Sequence, residues 1–196
     1  QPHFRYCKKC KNTQRYRTRH CDLCQACVAK FDHHCFWIGG CVGETNHGKF
    51  LLMLLVLTIE FLMGFTWGWT GLDYNSEDYE SRNNLTNVKY TKEHGAFEIC
   101  CIICFLAFLF SGVLFFYHLF LVLSNTTTWE HNSSDNISYF KPYYRGALPF
   151  NKGVIQNFKD ICINNSKIRE WELPCPDVLK ESQSFNICEN EHYSCC

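Results

Sequence analysis

Residues 7–41 read CKKCKNTQRYRTRHCDLCQACVAKFDHHCFWIGGC, and this stretch decides what the head of the chain can be. Seven cysteines lie in it, Cys7, Cys10, Cys21, Cys24, Cys27, Cys35 and Cys41, with His20, His33 and His34 among them. Zinc takes four thiolate or imidazole ligands in a tetrahedron, and a Cys-x-x-Cys turn presents two sulfurs to one ion. Cys7/Cys10 and Cys21/Cys24 are two such turns, and each needs two further ligands. Six residues compete for those four places: His20, Cys27, His33, His34, Cys35 and Cys41. At least two metal-competent side chains are left over, and leftover Cys and His side by side point to reactivity. Spacing does not say which ligand joins which pair. Neighbours such as His20 and Cys21 point in different directions, so an interleaved arrangement is reasonable. The plainer alternative is a closed Cys/His module that contributes stability and no chemistry.

Working outward, the 196-residue chain has 15 cysteines, a number that in a small secreted domain would read as a disulfide framework. The crowding of seven into the head, mixed with histidine, favours metal instead. Metal thiolates belong to reducing compartments, which places the head in the cytosol. Nineteen Lys and Arg balance 19 Asp and Glu, so the chain as a whole demands no nucleic-acid partner. The balance hides an asymmetry: residues 1–49 carry nine basic against three acidic side chains, and residues 73–93 carry five acidic against three basic. The chain starts at Gln1 with no initiator methionine or signal peptide, and so reads as a fragment or a processed chain.

Five regions follow from composition: the Cys/His-rich head at 1–49, an apolar run at 50–72, a polar loop at 73–96, a second apolar run at 97–124 and a mixed tail at 125–196. Each apolar run reaches the roughly 20 residues a helix needs to cross a bilayer core, and Lys49, Trp67 and Trp69 suit interfacial positions. Neither run shows the polar stripe of a soluble surface helix. The expected fold is therefore a mainly α-helical integral membrane protein, with two transmembrane helices and a small zinc-stabilised, hairpin-rich module. Two spans return the chain to its starting side, and the basic head makes that side cytosolic. The loop at 73–96 is then lumenal, which suits the sequon Asn84-Leu85-Thr86, although similar triplets begin at Asn125, Asn132, Asn136 and Asn164. Glu60, mid-span, is either a functional residue or the partner of a polar group on a neighbouring helix. Cys100, Cys101 and Cys104 read as packing residues.

The remaining signal is Asp32-His33-His34-Cys35. A thiol is a good nucleophile at neutral pH only when a base takes its proton or its pKa is lowered, and an imidazole oriented by a carboxylate does this. Asp32, His33 and Cys35 supply those three roles within four residues. With Cys7-x-x-Cys10, Arg17, His20-Cys21, Cys24, Cys27, Trp37, Cys41, Gly43, Asn46 and Phe50, the head resembles the DHHC family of protein S-acyltransferases, or palmitoyltransferases. Thr127-Thr128-Trp129-Glu130 fits that family's Thr-Thr-x-Glu motif, and Pro149-Phe150-Asn151-Lys152-Gly153 with Asn157 is similar to an element of its cytosolic tail. The Asn-Thr-Thr-Thr-Trp-Glu run is shared with the short members grouped with the twelfth human DHHC protein.

The resemblance implies two interleaved structural zinc sites, Cys7, Cys10, His20 and Cys27 for one and Cys21, Cys24, His34 and Cys41 for the other. It leaves His33 and Cys35 free and implies catalytic roles for Cys35, His33 and Asp32. Cys35 would take a long-chain acyl group from a fatty acyl-CoA such as palmitoyl-CoA as a thioester intermediate and pass it to a cytosolic cysteine of a substrate protein. Membrane lipid is an implied partner, and endoplasmic reticulum or Golgi the implied location. Thr128 and Glu130 would brace the active-site loop, or cap a helix end. Lys8, Lys9, Arg17 and Arg19 are candidates for CoA phosphates or anionic headgroups. Phe36 stands where the family commonly has Pro, Gly39-Gly40 where it often has Asn-Asn, Arg15 where Pro often precedes the arginine, and Leu148 in place of the Asn that opens the tail element. Two spans that typically precede the head in the family are absent from this sequence. The rival readings are a non-catalytic, membrane-tethered zinc scaffold and a membrane-anchored RING-type ubiquitin ligase.

Overall fold

The three Cys-rich turns of the head fold as three antiparallel two-stranded hairpins. In the computed structural model β1 (Arg5–Cys7) pairs with β2 (Asn12–Gln14), β3 (Arg19–Cys21) with β4 (Ala26–Val28), and β5 (His33–Cys35) with β6 (Gly40–Val42). The structure describes residues 5–82, 87–143, 146–164 and 168–174, with side chains of 71–94 left aside. His3, the sequon Asn84-Leu85-Thr86 and the terminal Cys195 and Cys196 lie outside the described side chains.

The hairpins are copies of one another at a spacing of 14 residues. Arg5↔Gln14, Arg19↔Val28 and His33↔Val42 are equivalent cross-strand pairs, as are Cys7↔Asn12, Cys21↔Ala26 and Cys35↔Gly40. Each turn ends on a left-handed residue, Lys11 at φ 52°, Gln25 at φ 51° and Gly39 at φ 63°. Of these only glycine takes that conformation without steric cost. Strands of three residues do not hold a hairpin together in water on their own. They are stitched by backbone bonds, Phe31 N–H to Arg17 O at 2.9 Å, Glu44 N–H to Ala29 O at 3.0 Å and Asp32 N–H to Val42 O at 3.0 Å. The Cys/His clusters described below add the rest.

Helix α1 spans His47–Arg82 and α2 spans Asn87–Leu123. Both run further than the apolar stretches that announced them, so most of the polar segment at 73–96 is helical rather than loop. Residues 72–82 contain neither Pro nor Gly, and an established helix propagates without paying nucleation again. The parts long and apolar enough to cross a membrane are His47–Thr70 and Gly95–Leu123.

The chain divides into two units, Gln1–Leu51 with His118–Cys196, and Leu52–Tyr117. Within Leu52–Tyr117 the two helices meet through small residues. A Cβ added to Gly68 would lie 2.6 Å from Cys101 Sγ, Gly64 faces Cys104, and Phe65 packs on Phe105 with centroids 5.1 Å apart. Cys101 and Cys104 thus fill space between helices, as expected, while Cys100 is exposed. Leu52, Ile59, Phe110, Val113 and Phe116 point outward, the arrangement lipid-facing helices require. Glu60 is exposed and has no ion pair among the described residues.

In the other unit, the end of α2 turns through Ser124–Thr127 into α3 (Thr128–Ser133). Thr127 caps α3 in a reciprocal box with Glu130: the Thr127 hydroxyl accepts the Glu130 N–H at 3.2 Å, and Glu130 Oε2 accepts the Thr127 N–H at 3.0 Å. A single 3-10 turn (Ser134–Asn136) follows, then α4 (Val154–Phe158), which runs into a π turn at Lys159–Ile163. The tail closes on the helix ends. Asn157 Nδ2 donates to Leu123 O at 2.7 Å, satisfying a carbonyl that the end of α2 leaves open, and Asn125 Nδ2 donates to Phe150 O at 2.8 Å. Trp171 Nε1–H and the Arg169 N–H both donate to Glu44 Oε1. Gly48 marks a close approach, for a Cβ there would fall 2.6 Å from Ile161 O.

Candidate active site and metal centres

The 14-residue repeat distributes the Cys/His donors. Strand ends put Cys7 and Cys21 at the mouth of their turns, Cys10 and Cys24 three residues on, and the cross-strand pairs His20↔Cys27 and His34↔Cys41 one step back along β3–β4 and β5–β6. Two four-donor groups result, Cys7, Cys10, His20 and Cys27, and Cys21, Cys24, His34 and Cys41, the donor atoms of each within 4.8 Å of one another. Each group takes the turn of one repeat and the His–Cys pair of the next, which is what makes them interleave.

The spacings suit zinc. Zn–S near 2.3 Å and Zn–N near 2.0 Å in a tetrahedron give edges of about 3.8 Å between sulfurs and about 3.6 Å between sulfur and nitrogen. His34 Nδ1 stands 3.3, 3.6 and 3.6 Å from Cys24, Cys21 and Cys41 Sγ, and Cys24 Sγ is 3.4 Å from Cys41 Sγ. His20 Nδ1 stands 3.2 Å from Cys10 Sγ and 4.0 Å from Cys27 Sγ. The cysteines are free, not paired as disulfides. The outer partners also fit. Asp22 Oδ1 lies 3.3 Å from His20 Nε2, within ion-pair reach, and Gln14 Nε2 donates to Cys27 Sγ at 3.3 Å. Two clusters in this chain can therefore hold zinc ions.

The third hairpin breaks the pattern in one place. Cys35 occupies the position of Cys7 and Cys21, but Ile38 stands where Cys10 and Cys24 supply the second sulfur. Cys35 keeps the turn without the partner. Like Cys7, which interacts with the N–H groups of Cys10 and Lys9, and Cys21, with those of Cys24 and Leu23, Cys35 interacts with the N–H groups of Ile38 and Trp37. Burial pushes its thiol up, yet the Ile38 N–H, the His33 imidazole and the Trp37 N–H outweigh burial, and the net result is a lowered pKa.

Beside Cys35, His33 Nδ1 and Asp32 Oδ2 are 2.6 Å apart. Thr128 completes the carboxylate's partners, its N–H donating to Oδ1 and its hydroxyl to Oδ2, both at 2.8 Å. Burial would raise the Asp32 carboxyl, but the His33 hydrogen bond, the charge field of His47 and the Thr128 N–H hold it below the usual carboxylate range. Burial also lowers His33, and the Asp32 carboxylate with the Cys35 thiol overcomes this and raises it. A lowered thiol facing a raised imidazole favours a thiolate–imidazolium pair. His33 is further packed against Phe50 (5.2 Å) and His118 (5.5 Å), and His118 in turn against Phe50 and His47.

Arg17 is not available to a phosphate. It is fully buried, with Nε 2.8 Å from Glu130 Oε1, Nη2 2.6 Å from Glu130 Oε2 and 2.8 Å from Asn125 O, and its plane lies over Phe150 and Trp171. A guanidinium fork matched to a carboxylate and two aromatic faces explains why arginine stands there. Asn125, a sequon asparagine, is buried by the same contact. Arg19 lies over Phe31 and Trp129, while Lys8 and Lys9 remain exposed. Thr128 braces Asp32, whereas Glu130 grips Arg17 and, with Thr127, caps α3, so bracing and capping fall to different residues of that motif.

The match to the DHHC palmitoyltransferase family profile covers residues 1–135. The chain belongs to that family. Among relatives of this DHHC chain, a protein of Dictyostelium discoideum named ZDHHC-type palmitoyltransferase 7 is 37% identical over 202 residues, covering 97% of this chain and 43% of the relative. The human palmitoyltransferase ZDHHC12 is 35% identical over 154 residues, covering 79% of this chain and 54% of the relative. A protein S-acyltransferase 7 of Arabidopsis thaliana is 33% identical over 156 residues, covering 80% and 33%. The chain thus spans between a third and about half of the length of these relatives.

Sequence reasoning missed three features of this DHHC centre. The 14-residue period was hidden because only the cysteines repeat visibly. His118 and His47 drew no role, although His118, inside an apolar run, is a signal in itself. The pairing of Arg17 with Glu130 joins residues 113 apart and has no local trace.

Proposed function

We propose that this chain carries the acyl-transfer centre of a protein S-acyltransferase, a palmitoyltransferase, with Cys35 as the nucleophile, His33 as its base and Asp32 as the group that orients His33. One observation carries the reading. Six of the seven head cysteines fall into two four-donor clusters, and the seventh, Cys35, is left beside an imidazole held 2.6 Å from a buried carboxylate. Cys7, Cys10, His20 and Cys27 would hold one zinc and Cys21, Cys24, His34 and Cys41 the other; zinc bound there cross-links the hairpins and fixes the loop that presents Cys35.

In the proposed reaction the acyl group moves in two steps. Cys35 gives its proton to His33 and its sulfur bonds to the carbonyl carbon of a fatty acyl-CoA. The bond to the CoA sulfur breaks, and that thiolate takes the proton from His33. In the second step His33 accepts the proton of an acceptor cysteine, the acceptor sulfur bonds to the acyl carbon, and the Cys35 thiolate leaves. One thioester replaces another, so little driving force is needed and position is what the protein supplies. Phe36 and Trp37, 86% and 82% exposed at the tip of the β5–β6 turn, offer apolar surface beside the nucleophile. Each methylene of an acyl chain that is buried contributes about 0.8 kcal/mol.

The basic head and the two apolar helices support a cytosolic orientation of this centre in an endoplasmic reticulum or Golgi membrane, with substrate proteins that offer cytosolic cysteines, membrane lipid as surroundings and no nucleic-acid partner. A turnover assay tests the activity. The full chain in liposomes, given palmitoyl-CoA and a cysteine peptide, is expected to release CoA and acylate the peptide together. Both should be lost in Cys35→Ala and His33→Ala with zinc content unchanged. Peptide acylation that persists in Cys35→Ala removes the transferase assignment and favours the zinc scaffold.

A further inference from the structure

Two histidines beside the Asp32–His33 pair have no part in acyl transfer as described. Asp32, His33 and His118 place a carboxylate oxygen and two imidazole nitrogens within 4.8 Å of one another, with Asp32 and His118 buried. They converge from separate elements: Asp32 precedes β5, His33 opens it, and His118 lies near the end of α2. Two imidazoles and one carboxylate form a donor set suited to borderline divalent cations. A second observation concerns His47, at the start of α1. Its side chain is fully buried, neither ring nitrogen has a hydrogen-bond partner among the described residues, and Nε2 points to Asp32 Oδ1 at 3.9 Å. A buried imidazole with both nitrogens unsatisfied is costly, and a cation or its bound water held by Asp32 would relieve it.

We infer that Asp32, His33 and His118 form a third, reversible metal site, distinct from the two cysteine clusters, at which a divalent cation such as Zn2+ or Co2+ switches the Cys35 centre off. The site takes its ligands from the residues that orient the base. A cation there competes with the 2.6 Å Asp32–His33 contact and withdraws His33 from Cys35. The same competition makes it weaker than the thiolate clusters, which lose no existing bond of that kind. Entry is through His33, whose side chain is 27% exposed. The inhibitory meaning rests on the acyl-transfer reading; the metal site does not.

The test uses the purified full chain holding two equivalents of zinc, titrated with Co2+ in the absence of acyl-CoA. Bound cobalt, its absorption spectrum and the rate of Cys35 alkylation by iodoacetamide are followed together. One further equivalent is expected to bind. It should add visible bands of nitrogen and oxygen coordination without the ultraviolet charge-transfer band of thiolate ligation, and Cys35 alkylation should slow as it fills. His118→Phe keeps the ring that packs on His33 and Phe50, and His118→Gln keeps polarity. Both should retain two zinc, which reports folding, and lose the third equivalent. The proposal is overturned if no third equivalent binds, if the third carries a thiolate band, if both His118 variants still bind it, or if alkylation is unchanged when it is bound. None of these readouts involves acyl transfer, so failure of the transferase reading would be seen separately.

Discussion

Thr128 shows what one residue contributes. By donating a backbone N–H and a hydroxyl to the two oxygens of Asp32, it fixes the plane in which that carboxylate meets His33. Thr128→Val keeps the shape and the N–H and removes the second bond. Loss of a hydrogen bond to a charged group amounts to about 1.5–3 kcal/mol, so acyl-enzyme formation is expected to slow about ten- to a hundredfold while zinc content stays the same. Stopped-flow measurement of CoA release in the first turnover checks this. Lys30 makes the opposite case. It is buried among Arg17, Arg169, Glu130 and Glu44, with its ammonium over Trp171, and desolvation followed by the nearby Arg17 charge drives its pKa well down. A lysine whose folded pKa lies below the unfolded value of about 10.4 binds fewer protons in the fold, so stability rises with pH between the two values. Lys30→Met is therefore expected to raise the melting temperature near neutral pH, with the gain shrinking as pH approaches about 10. Thermal unfolding at two pH values measures the difference, and an equal shift at both would contradict the argument.

Among the elements, the three hairpins carry the logic of the site. A turn that elsewhere in the head presents two sulfurs is reused with Ile38 in the second place, so the turn's N–H groups remain aimed at a cysteine that belongs to neither metal cluster. Restoring the repeat should undo this. Ile38→Cys rebuilds a Cys-x-x-Cys turn, and because Gly48 and Leu55 stand where a next repeat would supply the His–Cys pair, zinc content is expected to stay at two while Cys35, able to form a disulfide with the new thiol, loses acyl-intermediate formation. Metal analysis with hydroxylamine-sensitive labelling would show it, and unchanged labelling with two zinc would mean that the turn does not govern Cys35. Much of this was legible beforehand. The Cys-x-x-Cys spacing announced the two closed turns, and the count of six candidates for four places announced that at least two metal-competent side chains would be left over, without saying which. The interleaving itself came with the family resemblance, because choosing between His33 and His34 requires knowing which of two adjacent side chains on a strand faces the sulfurs. The long polar extensions of α1 and α2 were not legible, since hydropathy reports where lipid can lie and not where backbone hydrogen bonding stops.

At the scale of the whole molecule, residues far apart in sequence meet in a buried polar knot. Arg17 in the head grips Glu130 and Asn125 beyond α2, and Phe150 and Trp171 cover it. Breaking one partner of a buried pair costs about 3–5 kcal/mol, because the other charge is left without its match. Glu130→Gln is expected to destabilise the fold by an amount of that order and to lower the yield of zinc-loaded protein. Denaturant unfolding followed by tryptophan fluorescence measures it, with Trp171 as the near reporter. Such pairings leave no mark in local composition, and for that reason Arg17 read as a surface cation until its surroundings were seen.

Cys35, which belongs to neither metal cluster and sits beside the His33–Asp32 pair, is the proposed carrier of the acyl group. The most direct measurement is capture of the intermediate on the full chain with labelled palmitoyl-CoA, comparing the native protein with Cys35→Ser and counting zinc in each. Hydroxylamine-sensitive label is expected on the native protein, confined to the peptide that contains Cys35, with no label on Cys35→Ser and two zinc in both. Equal labelling of the two proteins, or none in a folded sample holding two zinc, would contradict it.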